Sequence, residues 1–140
     1  MENKILNDKL FEAFASSSDN VYVYVTDLQN GLSRWSKNSV EYFNFPDEYM
    51  TNVVPFLQEN IHPEDQEGYF SDLAEVLTGK RDRHSYQYRL KNRYGEYVWI
   101  ECKGSVIREN GVPVIFAGLM TRLDNQNKYD SVTGLPTIFD

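Results

Sequence analysis

Residues 85–103 read Ser85-Tyr86-Gln87-Tyr88-Arg89-Leu90-Lys91-Asn92-Arg93-Tyr94-Gly95-Glu96-Tyr97-Val98-Trp99-Ile100-Glu101-Cys102-Lys103. Tyr86, Tyr88 and Leu90 alternate with Ser85, Gln87 and Arg89, and Val98, Ile100 and Cys102 alternate with Trp99, Glu101 and Lys103. A period of two puts each set on one side of a strand, so two strands are predicted, joined by a turn over residues 92–95. The second run continues to Val106 and makes a long antiparallel ribbon. Asn110-Gly111 then suits a further hairpin turn, and residues 112–119 are apolar in both phases, as befits a central strand covered on both faces.

Upstream, Val21-Tyr22-Val23-Tyr24-Val25-Thr26 reads as a strand over residues 21–28, and Asn30-Gly31 offers the positive φ values of a tight hairpin into residues 32–36. Residues 38–60 carry Val40, Phe43, Phe45, Tyr49, Met50, Val53, Phe56 and Leu57 between the breakers Pro46 and Pro55, which predicts short helices around an apolar interior. The strongest helix begins at Ile61-His62-Pro63-Glu64-Asp65. Pro63 suits the first helical position, Glu64 and Asp65 complement the positive end of the dipole, and Gly79 stops the run. Its buried face is predicted from Phe70, Leu73, Ala74 and Leu77. Ahead of everything, residues 2–15 place Leu6, Leu10, Ala13 and Phe14 at helical spacing, with Phe11 widening the stripe. So short a helix is marginal alone in water, so its stripe is expected to dock, on this chain's own outer sheet face near Trp99 and Ile115 or on a second copy.

The chain has 140 residues, 41% of them hydrophobic, which is room for one domain with a proper core plus tails. A net charge of −7 without a basic stripe argues against nucleic acid and anionic membrane as partners. Cys102 is the single cysteine, so no internal disulfide can form, and neither a signal peptide nor an apolar run near the ~20 residues of a membrane span is apparent. A cytoplasmic location is expected.

Two strands, short helices, one longer helix and three antiparallel strands is the order of a PAS domain, and several fragments over residues 20–121 carry that resemblance. Val25-Thr26-Asp27-Leu28 with Gly31 resembles the family's first hairpin. His62-Pro63-Glu64-Asp65 is similar to its His-Pro-Asp-Asp turn, and Tyr88-Arg89-Leu90 with Gly95 and Trp99 to its later strands. The resemblance implies an α+β fold: a five-stranded antiparallel sheet with short helices on one face, a pocket between them, and here an additional amphipathic helix at the N-terminus. Asp130-Ser131-Val132-Thr133-Gly134-Leu135-Pro136 resembles the opening signature of GGDEF domains, which make cyclic di-GMP. The implied organisation is a leading helix over residues 1–18, a PAS sensor over 19–122, a short linker over 123–129 and the start of a GGDEF domain over 130–140. As a regulatory input, the module would act by dimerisation or conformational coupling on the GGDEF domain of the same chain, whether that domain is a diguanylate cyclase or a degenerate, non-catalytic relative.

The alternative reading is a small-molecule sensor, with a ligand among Phe43, Phe45, Phe56, Tyr86, Tyr88, Ile100 and Ile115. Close packing favours a filled or small pocket there. Leu6, Leu10, Phe14 and Trp99 are the residues expected to support helix docking and a homodimer. His62, before a proline, reads as a helix cap, and His84, among Arg81, Asp82 and Arg83, as solvated. Neither has companions at metal-ligand spacing, so no metal site is assigned. Cys102 sits in an apolar phase and reads as a small buried side chain. The Asn-Cys-Arg-Phe-Leu-Gln motif of flavin-adduct relatives is absent, and no cofactor is expected, though an unidentified small molecule fits the sensor reading. No residue is assigned a catalytic role.

Overall fold

The computed structural model describes residues 9–123. Six antiparallel strands form one sheet in the order β3-β2-β1-β6-β5-β4. They are β1 (Val21–Asp27), β2 (Leu32–Trp35), β3 (Tyr49–Thr51), β4 (Arg83–Lys91), β5 (Tyr97–Glu109) and β6 (Val112–Arg122). Helices α2 (Lys37–Phe43), α3 (Val54–Asn60) and α4 (Pro63–Leu77) contribute to the core on the inner face, and α1 (Lys9–Ala15) lies on the outer one.

The ribbon forms as its alternation implies. Tyr88 faces Ile100 and Tyr86 faces Cys102 across β4 and β5, and all four point into the inner layer or against it. The turn between them is built by the Asn92 side chain, whose Oδ1 accepts from the Tyr94 and Glu96 amides, with Gly95 at φ +83°. Asn110 and Gly111, at φ +52° and +80°, make the tight β5–β6 connection, a pairing of residue types suited to two successive positive φ values. The first hairpin differs from expectation. Only Gly31 has positive φ, and the four residues between β1 and β2 are instead organised by the Asp27 carboxylate, which accepts from the Gln29 and Asn30 amides and the Asn30 side chain.

A sixth strand is the main addition to the expected architecture. Three residues of β3 pair with β2 at one edge, too short a run to carry any periodicity of its own. The α4 start is as read: the His62 Nδ1 accepts from the Glu64 amide, with Pro63 at the first turn. Its buried face is rotated from the predicted one. Tyr69 and Val76, seven residues apart, are buried, Phe70, Leu73 and Leu77 flank them, and Ala74 is exposed.

On the outer face α1 covers β1 with Phe11, which packs on Val25 beside Ala15, Val23, Leu32, Ile115 and Ala117. The Arg34 guanidinium lies 4.4 Å from the centre of the Phe11 ring and 3.4 Å from Glu12, tying the helix to β2. Among the described residues, no helix is long and apolar enough to cross a membrane.

Candidate functional site

A cavity of about 250 Å³ lies between α4 and the inner face of the sheet. One wall is α4, through Tyr69, Leu73 and Leu77. The sheet supplies Tyr24, Thr26, Ser33, Trp35, Tyr88, Cys102, Phe116 and Met120, and Val53, Val54 and Leu57 close a third side from α3 and its cap. Leu28, Gly31 and Asn52 complete the lining from the loops flanking β2 and β3. No charged side chain is among these residues.

Two glycines shape the sheet side. Gly104 and Gly118 face one another across β5 and β6, and Gly118 is also the partner of Tyr24 on β1. A Cβ on Gly104 would fall 2.5 Å from the Tyr24 hydroxyl, and one on Gly118 would fall 2.8 Å from it. The pair therefore clears a lane along which the Tyr24 ring crosses two strands, and its hydroxyl reaches the Cys102 Sγ at 3.2 Å. An isolated glycine inside a strand signals such a close approach, so both residues were open to recognition in the sequence.

The polar groups around the cavity are neutral and mostly engaged. The Trp35 indole N–H donates to the Ser33 hydroxyl at 2.9 Å, Ser33 donates to the Met50 carbonyl, and the Tyr88 hydroxyl donates to the Met120 Sδ at 3.4 Å. Burial pushes the Cys102 thiol up to about 12; burial, with the thiol and neighbouring phenols, pushes Tyr24 and Tyr88 well above the ordinary phenol range, and burial, with the thiol and the Asp72 carboxylate, pushes Tyr69 above it. All four stay protonated at neutral pH. The Tyr69 hydroxyl is different: Tyr69 is buried, yet among the described residues its hydroxyl has no hydrogen-bond partner.

Helix α4 is fastened to the sheet along its length. The Asp65 carboxylate accepts from the Arg89 amide at 2.8 Å and from its guanidinium at 2.9 Å, and these bonds hold the carboxyl below the usual range. Asp72 lies 2.5 Å from both His84 Nδ1 and Arg81. Burial works to raise the Asp72 carboxyl, but the hydrogen bonds from Arg81 and His84 outweigh it and the carboxyl sits low. The Val76 carbonyl accepts from Arg108 at 3.0 Å. His84 is thus not solvated as its charged neighbours suggested; it is 1% exposed, because β4 turns it inward against Tyr69 and Phe116. Desolvation lowers its pKa against the pull of Asp72, and its Nε2 is buried with no partner among the described residues.

The structure redistributes the residues proposed from sequence. Tyr88 lines the cavity, whereas Phe43, Phe45 and Ile100 are buried in the packed core, and Phe56 and Tyr86 pack against it half-buried. Ile115 belongs to the opposite face, beneath α1, because Val114, Phe116 and Met120 take the inward phase of β6. On α1 the docked residue is Phe11; Leu10 and Phe14, one stripe over, are 63% and 65% exposed. Leu6 lies outside the described residues. Trp99 is on the outer face as expected, half-buried, with the Arg89 guanidinium 5.0 Å from its ring rather than α1 above it. Cys102 is buried as read. No group of three metal-ligating side chains occurs among the described residues.

The order of elements, the antiparallel sheet and the cavity behind α4 agree with a match of the PAS fold model to residues 32–120. The chain belongs to the PAS family. Among solved structures, this PAS domain is similar to a sensory box histidine kinase/response regulator from Burkholderia thailandensis. The TM-score is 0.65 at 19% identity, over 84% of this chain and 86% of that one. It is equally similar to the N-terminal domain of a diguanylate cyclase with PAS/PAC sensor from Marinobacter aquaeolei. There the TM-score is 0.65 at 21% identity, over 76% of this chain and 98% of that one. A hybrid signal transduction histidine kinase from Dictyostelium discoideum is 31% identical over 54 residues, which is 39% of this chain and 2% of that protein. The PAS domain is a sensory module of the kind found in signal transduction proteins, with neighbours in both histidine kinases and diguanylate cyclases. The GGDEF-like stretch at 130–136 and the linker before it, apart from Leu123, lie outside the described residues.

Proposed function

We propose that this PAS domain regulates a GGDEF output domain in the same polypeptide, and so cyclic di-GMP synthesis, in response to a small molecule held in the cavity behind α4. The cavity carries the reading. Packed interiors rarely leave such a space, and this one, lined in part by the exposed residues Gly31, Asn52 and Val54, is walled on one side by the most heavily fastened helix of the domain, so an occupant presses on an element tied to β4 and β5. The GGDEF resemblance at residues 130–136 supports the output, as does the likeness to the N-terminal domain of a diguanylate cyclase with PAS/PAC sensor. Its volume is below the ~300–1,000 Å³ common for ligand sites, which suits a compact ligand.

Dimerisation is the companion proposal. Leu10, Phe14, Ile107 and Leu119 expose apolar area on α1 and on β5 and β6, and a second copy covering that surface would set the spacing of two output domains.

The test uses the full-length protein. Leu73→Phe and Leu77→Phe fill the cavity from α4 without adding charge. Cyclic di-GMP output should become insensitive to cell extract in these variants while the unaltered protein responds. Equal responses from filled and unfilled cavities would refute the sensing role.

A further inference from the structure

The cavity lining specifies the chemistry of its occupant more narrowly than its volume does. Every lining side chain is uncharged, so a carboxylate, phosphate or ammonium would enter without a counter-charge and lose its hydration. Apolar groups from α3, α4 and the sheet surround most of the space. The polar exceptions are largely used up: Trp35 and Ser33 satisfy each other and Met50, Tyr88 is turned to Met120, and Tyr24 is paired with Cys102. Half-buried Thr26 and exposed Asn52 also bring polar side chains to the lining; among its buried residues, what remains is the Tyr69 hydroxyl, on a residue only 5% exposed, held protonated by its surroundings and without an acceptor among the described residues. The hydroxyl is not one of the fully buried unpartnered atoms of the described residues, so it is accessible, and an acceptor on an occupant of the cavity would give it a hydrogen bond.

We infer that the cavity takes a neutral, compact, largely apolar molecule bearing one carbonyl-type or ether-type acceptor, which the Tyr69 hydroxyl recognises. Ligand size follows from the volume: at the ~30 Å³ of liquid that one water occupies, the space holds about eight waters or a molecule on the order of ten non-hydrogen atoms. This assignment rests on the cavity being the sensing site. Tyr69 acts as a specificity-determining residue, and the ring it presents to Tyr88, 4.7 Å between centres, keeps the hydroxyl in place.

Three probes of similar size separate the chemistry: acetophenone, with a carbonyl; ethylbenzene, without one; and benzoate, with a charge. Each is titrated into the 140-residue chain and its Tyr69→Phe variant, followed by NMR shifts of the Leu73, Leu77 and Met120 methyls. Acetophenone should bind saturably and roughly three- to tenfold more tightly than ethylbenzene, the worth of one net hydrogen bond. Benzoate should not move the methyls. In Tyr69→Phe, acetophenone should fall to the affinity of ethylbenzene, while unchanged ethylbenzene binding shows that the cavity is intact. Benzoate binding as tightly as acetophenone, or acetophenone indifferent to Tyr69→Phe, overturns the ligand class and leaves the sensing role standing. Failure of all three probes to bind also overturns it; the sensing role is then judged separately by the cavity-filling variants, whose readout is cyclase output and requires no probe.

Discussion

Replacing Gly118 by alanine should damage this domain far more than a single methyl group ordinarily does. The added Cβ would meet the Lys103 carbonyl oxygen and lie 2.6 Å from the Gly104 Cα and 2.8 Å from the Tyr24 hydroxyl. Two of those three obstacles are backbone of β5, so relief requires β5 and β6 to separate at the middle of the sheet. Overpacking of a tight site costs about 1–3 kcal/mol, and a backbone obstruction belongs at the upper end. Alanine returns about 0.5–1 kcal/mol through the unfolded chain, leaving a net loss of about 2 kcal/mol. With an unfolding entropy near ~2.1 cal/mol/K per residue over about 115 residues, that lowers Tm by roughly 8 °C. Gly68→Ala is the matched comparison. Its Cβ would meet only the end of the Tyr86 side chain, which can swing aside, and alanine favours the α4 helix by about 1 kcal/mol. Calorimetry and urea midpoints should place Gly68→Ala within about 1 kcal/mol of the unaltered chain. A Gly118→Ala protein as stable as the parent, or a Gly68→Ala protein equally damaged, would falsify the argument from the glycine lane.

Acid sensitivity should appear in two steps. His84 has a lowered pKa in the folded state, so the unfolded chain binds the extra proton first and stability declines as pH falls below about 6.5. Asp65 and Asp72 are also lowered, so their contribution is present above the ordinary carboxylate pKa and disappears as pH falls through their folded values, below about 4. Urea midpoints at pH 7.5, 5.5 and 3.5 should show the upper step vanish in His84→Gln while the lower one persists; an unaltered upper step would assign it elsewhere. For the outer face, sedimentation should show the dimer shift toward monomer in Phe14→Glu combined with Leu119→Glu, and a parent chain that is monomeric at every concentration would remove the dimer proposal.

What the chain reveals by itself is its strands and their phase. Alternation at residues 86–90 and 98–106 and the Asn110-Gly111 pair gave the ribbon and the adjoining hairpin, because pleat and turn chemistry are local. The three residues of β3 exist as a strand only through their pairing with β2, which no local pattern records. His84 was misplaced for a related reason: its flanking arginines and Asp82 are exposed, while the partner that makes its burial tolerable, Asp72, comes from a helix twelve residues earlier. The candidate site was hardest. A cavity is missing volume, and whether Phe43, Phe45 and Ile100 fill the core or line a space depends on how rings from helices and strands far apart in sequence divide the interior. Only Tyr88 of the proposed set lines it, although the isolated glycines at 104 and 118 marked where a ring crosses the strands.

The chain's two tryptophans fall on opposite sides of the sheet. Trp35 is buried at the cavity, stacked on Tyr24 with ring centres 4.9 Å apart, and Trp99 sits half-covered outside beneath Arg89. Their fluorescence therefore divides by location: Trp35 emits from a dry interior shielded from soluble quenchers, and Trp99 from a surface that acrylamide can reach. Trp99→Phe leaves an optical reporter of cavity occupancy alone, and Trp35→Phe leaves one that responds only to what covers the outer sheet, so ligand entry and subunit association can be timed independently in an unlabelled protein.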